Sequence, residues 1–451
     1  MPGRLLSALA LLASPLALAA SAQARPRAIA SPVGLANRCV AIAGPASAGP
    51  LFVKPTALAR AMLESAAGRL LGVAGGRVRT MDEPAQAGPA DEWHVVRAGP
   101  RAFALRATRG GRWLTPGRGG IGLRRRRTAS VRLTFVPARG CRRFPEAQVD
   151  ASGRAFAPTR RDGSLVGFAD YHLHLTANLR AGGDVISGEP FDRFGVVRAL
   201  GRDAAVHGAD GSKDVTGNLL RDGVPFGTHS PQGWPGFTGW PVHDTNTHQQ
   251  AYYVWLERAW RAGERLIVAQ TVEDDELCRV EPRRAHSCSE PATIAAEVRV
   301  LRGLQDYVDA QAGGRGRGWF RLVDGPRQAR RVIARGKLAV VVGVESSNPF
   351  GCSLRPGAHR CTRGDVDRGL ARYRRLGVRA MFVAHWFDNA FAGAALEGGG
   401  KGKLISGLDR LETGRWFAVG PCPHPGMGEV AQAPSPDEAK VLAAFFPAVA
   451  P

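Results

Sequence analysis

The sequence predicts an α/β protein in two parts. A small all-β domain covers residues 25–156, and a partial (β/α) TIM-type barrel of about four strand–helix units lies within residues 165–451. Two observations carry this. From residue 165 onward, short runs rich in valine and isoleucine alternate with amphipathic stretches, the grammar of parallel strands joined by crossover helices. Histidine or glutamate closes three of those runs, and the C-terminal ends of the strands are where a barrel builds its site.

Length and composition set the frame. At 451 residues the chain is long enough for two or three domains, and an apolar content of 44% can bury a core. The net charge is +22, yet only six of the 61 basic residues are lysines. That arginine bias, with abundant Ala, Gly and Pro, reads as GC-rich coding as much as a selected basic face. The arginine run at 124–127 could meet phosphate or an acidic polymer, but no aromatic-studded module surrounds it. A solvated surface run is the simpler reading, and no nucleic-acid partner is expected.

The N-terminus predicts export. Arg4 precedes an apolar run at 5–20 and then Ala22-Gln23-Ala24, the three parts of a signal peptide over residues 1–24. The run is short for a bilayer span and no other long apolar stretch follows, so no stable membrane span is expected. The expected location is secreted, extracellular or periplasmic, where disulfides persist. Spacing among the seven cysteines suggests Cys39–Cys141, Cys278–Cys288 and Cys352–Cys361, leaving Cys422 over.

Residues 31–156 show short apolar runs between Gly- and Arg-rich turns. Gly68-Arg69, Gly111-Arg112 and Gly153-Arg154 recur at intervals of 43 and 42 residues. Three such units would suit a β-trefoil tied at its ends by Cys39–Cys141. Such a domain could bind sugar or serve as a packing partner for the barrel.

The elements of the second part follow in order. A first strand at 165–174 ends in His172-Leu173-His174. A long excursion follows, with a His-Gly-Ala-Asp-Gly stretch at 207–211 and a Trp/Gly/Pro-rich stretch at 233–241. A helix is expected over 245–262, with Tyr252, Trp255, Leu256 and Trp260 on one face and Gly263 as its stop. The second strand is 265–271, and an amphipathic helix covers 291–311. Pro326 opens another helix, which Gly336 ends. The third strand, 338–345, is almost wholly apolar, as a buried parallel strand should be. A helix at 365–376 leads to a fourth strand at 378–385. Ser435, Pro436 and Glu438 begin a last helix, to about 446.

The chemistry gathers at strand ends. In an extended strand alternate side chains share a face, so His172 and His174 point the same way. Imidazoles so placed suit zinc and similar ions; two satisfied histidines at a strand end are the plainer alternative. Glu345 closes a run of valines, a costly place for a carboxylate without a partner. A metal ion would supply one, and so would an arginine. His385 closes the fourth strand.

At these residues the chain resembles the amidohydrolase superfamily and, within it, the membrane dipeptidase family. The family's first-strand motif is Asp-x-His-x-Asp. Here it reads Asp170-Tyr171-His172-Leu173-His174, whose last ligand follows the His-x-His of the wider superfamily. Gly343-Val344-Glu345 matches the strand that carries the metal-bridging glutamate. Leu376-Gly377-Val378-Arg379 through Ala384-His385, with Asn389 beyond, matches the family's fourth-strand pattern. The resemblance covers residues 165–395. It implies His172, His174 and Glu345 as ligands of divalent metal, zinc first, with up to two ions in the complete site. It implies His385 as a catalytic residue facing the substrate, with Asn389 beside it as a substrate contact. The reaction implied is metal-assisted hydrolysis of an amide (dipeptide-like) or ester bond in a small-molecule or peptide substrate.

The family also uses two further histidines on later strands and an aspartate on the eighth. After His385 only one histidine, His424, follows. The chain is therefore expected to be truncated after the first half of the barrel, to be inactive as it stands, and to self-associate through open sheet edges. The competing expectation is a non-catalytic secreted binding protein that uses the all-β domain and its basic surface. Tightly bound zinc would separate the two.

Overall fold

The computed structural model of the chain describes residues 27–44, 49–80, 82–117, 120–155, 157–242, 245–357, 361–397 and 399–417. The expected signal peptide, Cys422, His424 and the helix expected at 435–446 lie outside the described residues. The fold is mixed α/β, an antiparallel β part followed by a parallel-stranded part.

The antiparallel part is built from β1 (Arg38–Ile42), β2 (Leu51–Ala57), β3 (Arg60–Ser65), β4 (Leu71–Ala74), β5 (Arg77–Thr80), β6 (Glu92–Gly99), β7 (Ala102–Ala107), β8 (Trp113–Gly117), β9 (Gly120–Arg124) and β10 (Phe135–Pro137). Eight of them form one sheet in the order β10-β1-β2-β3-β6-β7-β8-β9, and β4 and β5 form a separate hairpin. The core beneath holds Val40, Val53, Leu63, Trp93, Phe103 and Phe135. Burying the Trp93 indole leaves no unmet polar group, because its Nε1–H donates to the Leu71 carbonyl at 2.7 Å. The first and last strands pair, and a Cys39–Cys141 disulfide joins β1 to the chain just past β10.

The parallel part contains β11 (Phe168–Leu173), β12 (Glu264–Glu273), β13 (Phe320–Leu322), β14 (Leu338–Ser346) and β15 (Val378–Met381). Strands β11, β12 and β14 are successive neighbours. Strand β12 pairs with residues 339–346 of β14, while β13 and β15 pair with residues 338–340 and 342–344, so the two short strands share the other edge of β14. All of these pairings are parallel. The apolar run of β14 is buried because both faces are covered. The Glu290–Gln311 helix lays Ile294, Val298, Leu301 and Leu304 into that core, a spacing of three and four residues. Pro291 in its first turn costs nothing, since that N–H has no helical partner.

The two parts meet through a buried polar network. Lys54 of β2 donates to the Tyr307 hydroxyl at 2.8 Å and to Gln311 Oε1 at 3.1 Å, both on the Glu290–Gln311 helix. The hydroxyls of Tyr252 and Tyr253 donate to Glu146 at 2.7 and 2.8 Å, and Glu146 lies 3.8 Å from Lys54 Nζ.

Several elements differ from the sequence expectation. The helix expected over 245–262 spans only Tyr253–Ala262. Residues ahead of it are held by pairing with Ser187, whose N–H donates to Thr247 O while Gln249 N–H donates back to Ser187 O, each near 2.9 Å. This tertiary pairing outcompetes local helix propensity. The fourth strand ends at Met381 rather than at 385, its last link being Phe382 N–H to Val344 O at 2.8 Å. His385 therefore sits on a loop. Elements not foreseen include β13, the Val215–Asp222 and Asp275–Val280 helices, and a Gly399–Thr413 helix whose Leu404, Ile405 and Leu408 are buried against Leu277 and Phe387. All three cysteine pairs expected from spacing are disulfides.

Candidate metal centre

The C-terminal ends of β11, β12 and β14 converge on one spot. Strand β11 is irregular between Asp170 and Leu173, where its register against β12 shifts. There the Asp170 carboxylate accepts the His172 backbone N–H at 2.9 Å, which leaves that N–H off the β12 ladder. His172 Nε2 and His174 Nε2 lie 3.0 Å apart, and each is near Glu345 Oε2, at 2.9 and 3.1 Å. Three potential ligand atoms thus form a nearly equilateral triangle, and this group could hold a metal ion. Glu345 is buried at the end of β14, while the two histidine side chains keep 44% and 31% of their surface in solvent. One side of the triangle is open.

The outer hydrogen bonds leave the inner nitrogens bare. His174 Nδ1 lies 3.3 Å from the Gln270 carbonyl, which can only accept, so the ring proton sits on Nδ1 and the Nε2 lone pair faces Glu345. Two acceptors then face each other at 3.1 Å. Only a proton or a cation between them makes that favourable. His385 repeats the arrangement. Its Nδ1–H donates to Asp274 Oδ1 at 2.8 Å, and its Nε2 stands 3.4 Å from the second oxygen of Glu345. Burial would raise the Glu345 pKa, but the His174 ring against it and the charge that His385, His174 and His172 carry when protonated outweigh burial and hold the carboxyl below its usual range.

Asp274 anchors His385. It is fully buried, accepts the Ser347 hydroxyl on Oδ1, and has the Arg180 guanidinium 2.8 Å from Oδ2. Burial would raise its pKa, yet His385 and Arg180 press it well below the ordinary carboxylate value. The Arg180 guanidinium also lies 4.1 Å from the Trp386 ring centroid, and the His385 ring stacks on Trp386 at 4.6 Å. Phe382 flanks His172, with ring centroids 5.2 Å apart.

The structure brings together four of the five residues named from sequence, His172, His174, Glu345 and His385. Asn389 is placed differently. Its amide donates to the carbonyls of Ser347 and Val383 at 2.8 and 2.7 Å, and its oxygen accepts from the N–H groups of Phe391 and Ala392 at 2.7 and 3.1 Å. Both donors and both lone pairs are spent on backbone, so Asn389 shapes the loop that carries His385 and has nothing left for a ligand. Sequence reasoning missed Asp274, Arg180 and Ser347. Asp274 had a signal, because it directly follows the true end of β12, two residues beyond the strand end read from the apolar run. Arg180, among so many arginines, had none. No protein-family model matches this chain, and no curated protein matches it.

Proposed function

We propose that the chain is an exported metal-dependent hydrolase of the amidohydrolase type, acting on an amide or ester bond, with zinc as the preferred ion; one ion at an open three-ligand site suffices for such chemistry, so the missing second-half ligands do not by themselves make the chain inactive. The observation that carries this is the triangle of His172, His174 and Glu345 at neighbouring parallel strand ends, open on one side and with the His174 nitrogen bare toward the carboxylate. Closed four-residue sites serve structure, whereas catalytic sites keep a position free. The sequential neighbours β11, β12, β14 and β15 fit the first strands of a (β/α) barrel, and the antiparallel part fits a trefoil-like unit packed beside it. Export fits the three disulfides, and no helix among the described residues is long and apolar enough to cross a membrane.

A divalent ion held by His172, His174 and Glu345 would supply Lewis-acid polarisation of a carbonyl and a lowered pKa for water. The protein's own groups do the rest. Glu345 offers one oxygen to the two strand-end histidines and the other to His385, joining both halves of the site. His385 can hold or release a proton at Nε2, and Asp274 fixes its tautomer from behind. Phe382 and Trp386 form apolar walls beside the histidines.

The test joins metal content to turnover. Purified chain should retain zinc, measured by mass spectrometry, and zinc-loaded protein should hydrolyse dipeptides or p-nitrophenyl esters. Glu345→Gln and His172→Ala should abolish turnover and remove the zinc held at this triangle. Turnover that survives exhaustive chelation, or none on either substrate class at full zinc loading, would refute the proposal.

A further inference from the structure

The excursion between β11 and the Tyr253–Ala262 helix contains a second cluster that the proposed hydrolase site does not use. Asp203, His207, His229 and His248 converge from three separate stretches of chain. Asp203 Oδ2 lies 3.2 Å from His207 Nδ1, 2.8 Å from His229 Nε2 and 2.7 Å from His248 Nε2. The three rings stand edge to edge, with centroids 4.7 to 5.3 Å apart. The cluster is shut off from solvent: Asp203, His207, His229 and His248 expose 0, 1, 15 and 5% of their side chains.

Hydrogen bonds alone do not satisfy this cluster. His207 Nε2 is 3.0 Å from the Val185 carbonyl and must carry the proton there, so neutral His207 turns a bare Nδ1 toward a carboxylate oxygen. Three imidazoles crowd one oxygen that has two lone pairs. Meanwhile the other oxygen, Asp203 Oδ1, is buried with no hydrogen-bond partner. A buried carboxylate with an idle oxygen beside an acceptor nitrogen is costly. A cation among the four removes the conflict. Tetrahedral zinc with bonds near ~2.0–2.1 Å places its ligand atoms roughly 3.3 Å apart, close to the distances within this cluster. Asp214, with oxygens 3.8 Å from both His207 Nε2 and His229 Nδ1, adds nearby negative charge.

We propose that Asp203, His207, His229 and His248 form a second, structural zinc site. Four protein ligands close it, in contrast to the open triangle at the strand ends. Its role follows from where it lies. Among the described residues between 203 and 248, only Val215–Asp222 forms a helix of two turns, and so long a stretch with little regular structure needs a cross-link to hold one conformation. The same excursion carries Arg180, whose guanidinium braces Asp274 behind His385. The staple thereby supports the hydrolase site without touching it.

The test uses the full chain in the His172→Ala/Glu345→Gln background, which removes the open site. This variant should retain one tightly bound zinc per chain. Cobalt put in its place should give the intense visible absorption of a tetrahedral ion, and chelation should lower the melting temperature by several degrees. Adding Asp203→Asn and His248→Gln should abolish the bound metal and the response to chelator. Should that quadruple variant not fold, the cobalt spectrum of the double variant still decides. No tetrahedral cobalt in it, or metal retained after Asp203 and His248 are both replaced, would overturn the site and leave a protonated hydrogen-bonded hub. Loss of hydrolysis in the double variant bears on the open site alone, so the two proposals fail separately.

Discussion

At the scale of single residues, the open site depends on where protons cannot go. Gln270 O and Asp274 Oδ1 each take the Nδ1 proton of a histidine, which fixes the lone pairs of His174 and His385 toward Glu345. Replacing Asp274 by Asn keeps the size but offers an amide whose NH₂ can pair with the wrong tautomer of His385, and it leaves Arg180 without its counter-charge. Outer partners of metal-site histidines are typically worth ~10–100-fold in metal affinity or activity. Asp274→Asn should weaken zinc binding or turnover within that range, read by competition with a zinc chelator and by kcat, while Asn389→Ala should act through the loop and lower thermal stability first. An Asp274→Asn protein with unchanged affinity and kcat would remove Asp274 from the positioning role. His172, His174 and Glu345 were legible in sequence because strand periodicity and a carboxylate after valines are local signals. The Asp203 cluster was not. His207, His229 and His248 are separated by about twenty residues each, and only the folded excursion brings them to one carboxylate.

Among elements, the covalent links divide by the length of chain they close. Cys39–Cys141 spans 102 residues, and Cys278–Cys288 only 10. In the chain-entropy account a loop of about 100 residues gains roughly 4.7 kcal/mol and one of about 10 residues nearer 3 kcal/mol. Replacing Cys39 and Cys141 together by Ala should therefore lower the urea midpoint of the antiparallel part more than the same change at Cys278 and Cys288 lowers that of the parallel part. Equal losses would show that native packing and not loop closure sets the effect. The same scale shows why some elements were hidden. The Gly399–Thr413 helix begins Gly-Gly-Lys-Gly, poor helix-forming sequence, and it forms because Leu404, Ile405 and Leu408 find an apolar bed on Leu277 and Phe387. Strand β13 is three residues long and exists through pairing with the start of β14, which no local pattern announces. By contrast β14 and the Glu290–Gln311 helix were readable almost to the residue, since unbroken apolar character and a 3–4 spacing are strong signals. Lys54 lies in the contact between the two parts, buried against Tyr307 and Glu146. Removing one partner of such a network typically costs ~3–5 kcal/mol. Lys54→Ala should fall in that range by urea unfolding, and a loss under about 1 kcal/mol, the size of an exposed ion pair, would show the network to be dispensable.

For the whole molecule, the titration of buried carboxyls dictates how stability depends on pH. Burial is the leading cause for each of ten carboxyl groups whose pKa is raised, Glu189, Glu276, Glu290 and Glu297 among them. Glu64, Glu264, Glu273 and Glu281 are pushed up to about 7, and Asp91 and Asp409 to about 6. In the unfolded chain these groups return to ordinary values near 4. Between about pH 4.5 and 7 the folded state therefore holds protons that the unfolded state has released. Stability must fall as pH rises through that window, because deprotonation strands a charge where none is welcome. Glu64 is the clearest case, buried on β3 with neither carboxylate oxygen hydrogen-bonded. The depressed carboxyls, Asp203, Asp274 and Glu345, act the other way, and their contribution is lost only as the pH falls below the ordinary carboxylate range. The net charge of +22 does not reverse this. The raised carboxyls are already ionised in the unfolded chain, and repulsion beyond ~8 Å is screened at physiological salt. Urea midpoints measured with chelator present throughout, so that metal binding does not enter, should be higher at pH 5.5 than at pH 8. Glu64→Gln removes the stranded charge while keeping the shape. It should raise the midpoint at pH 8, leave it nearly unchanged at pH 5.5, and so flatten the profile. A midpoint that rises from pH 5.5 to pH 8 in the parent chain would mean that these buried carboxyls find partners that the fold does not show.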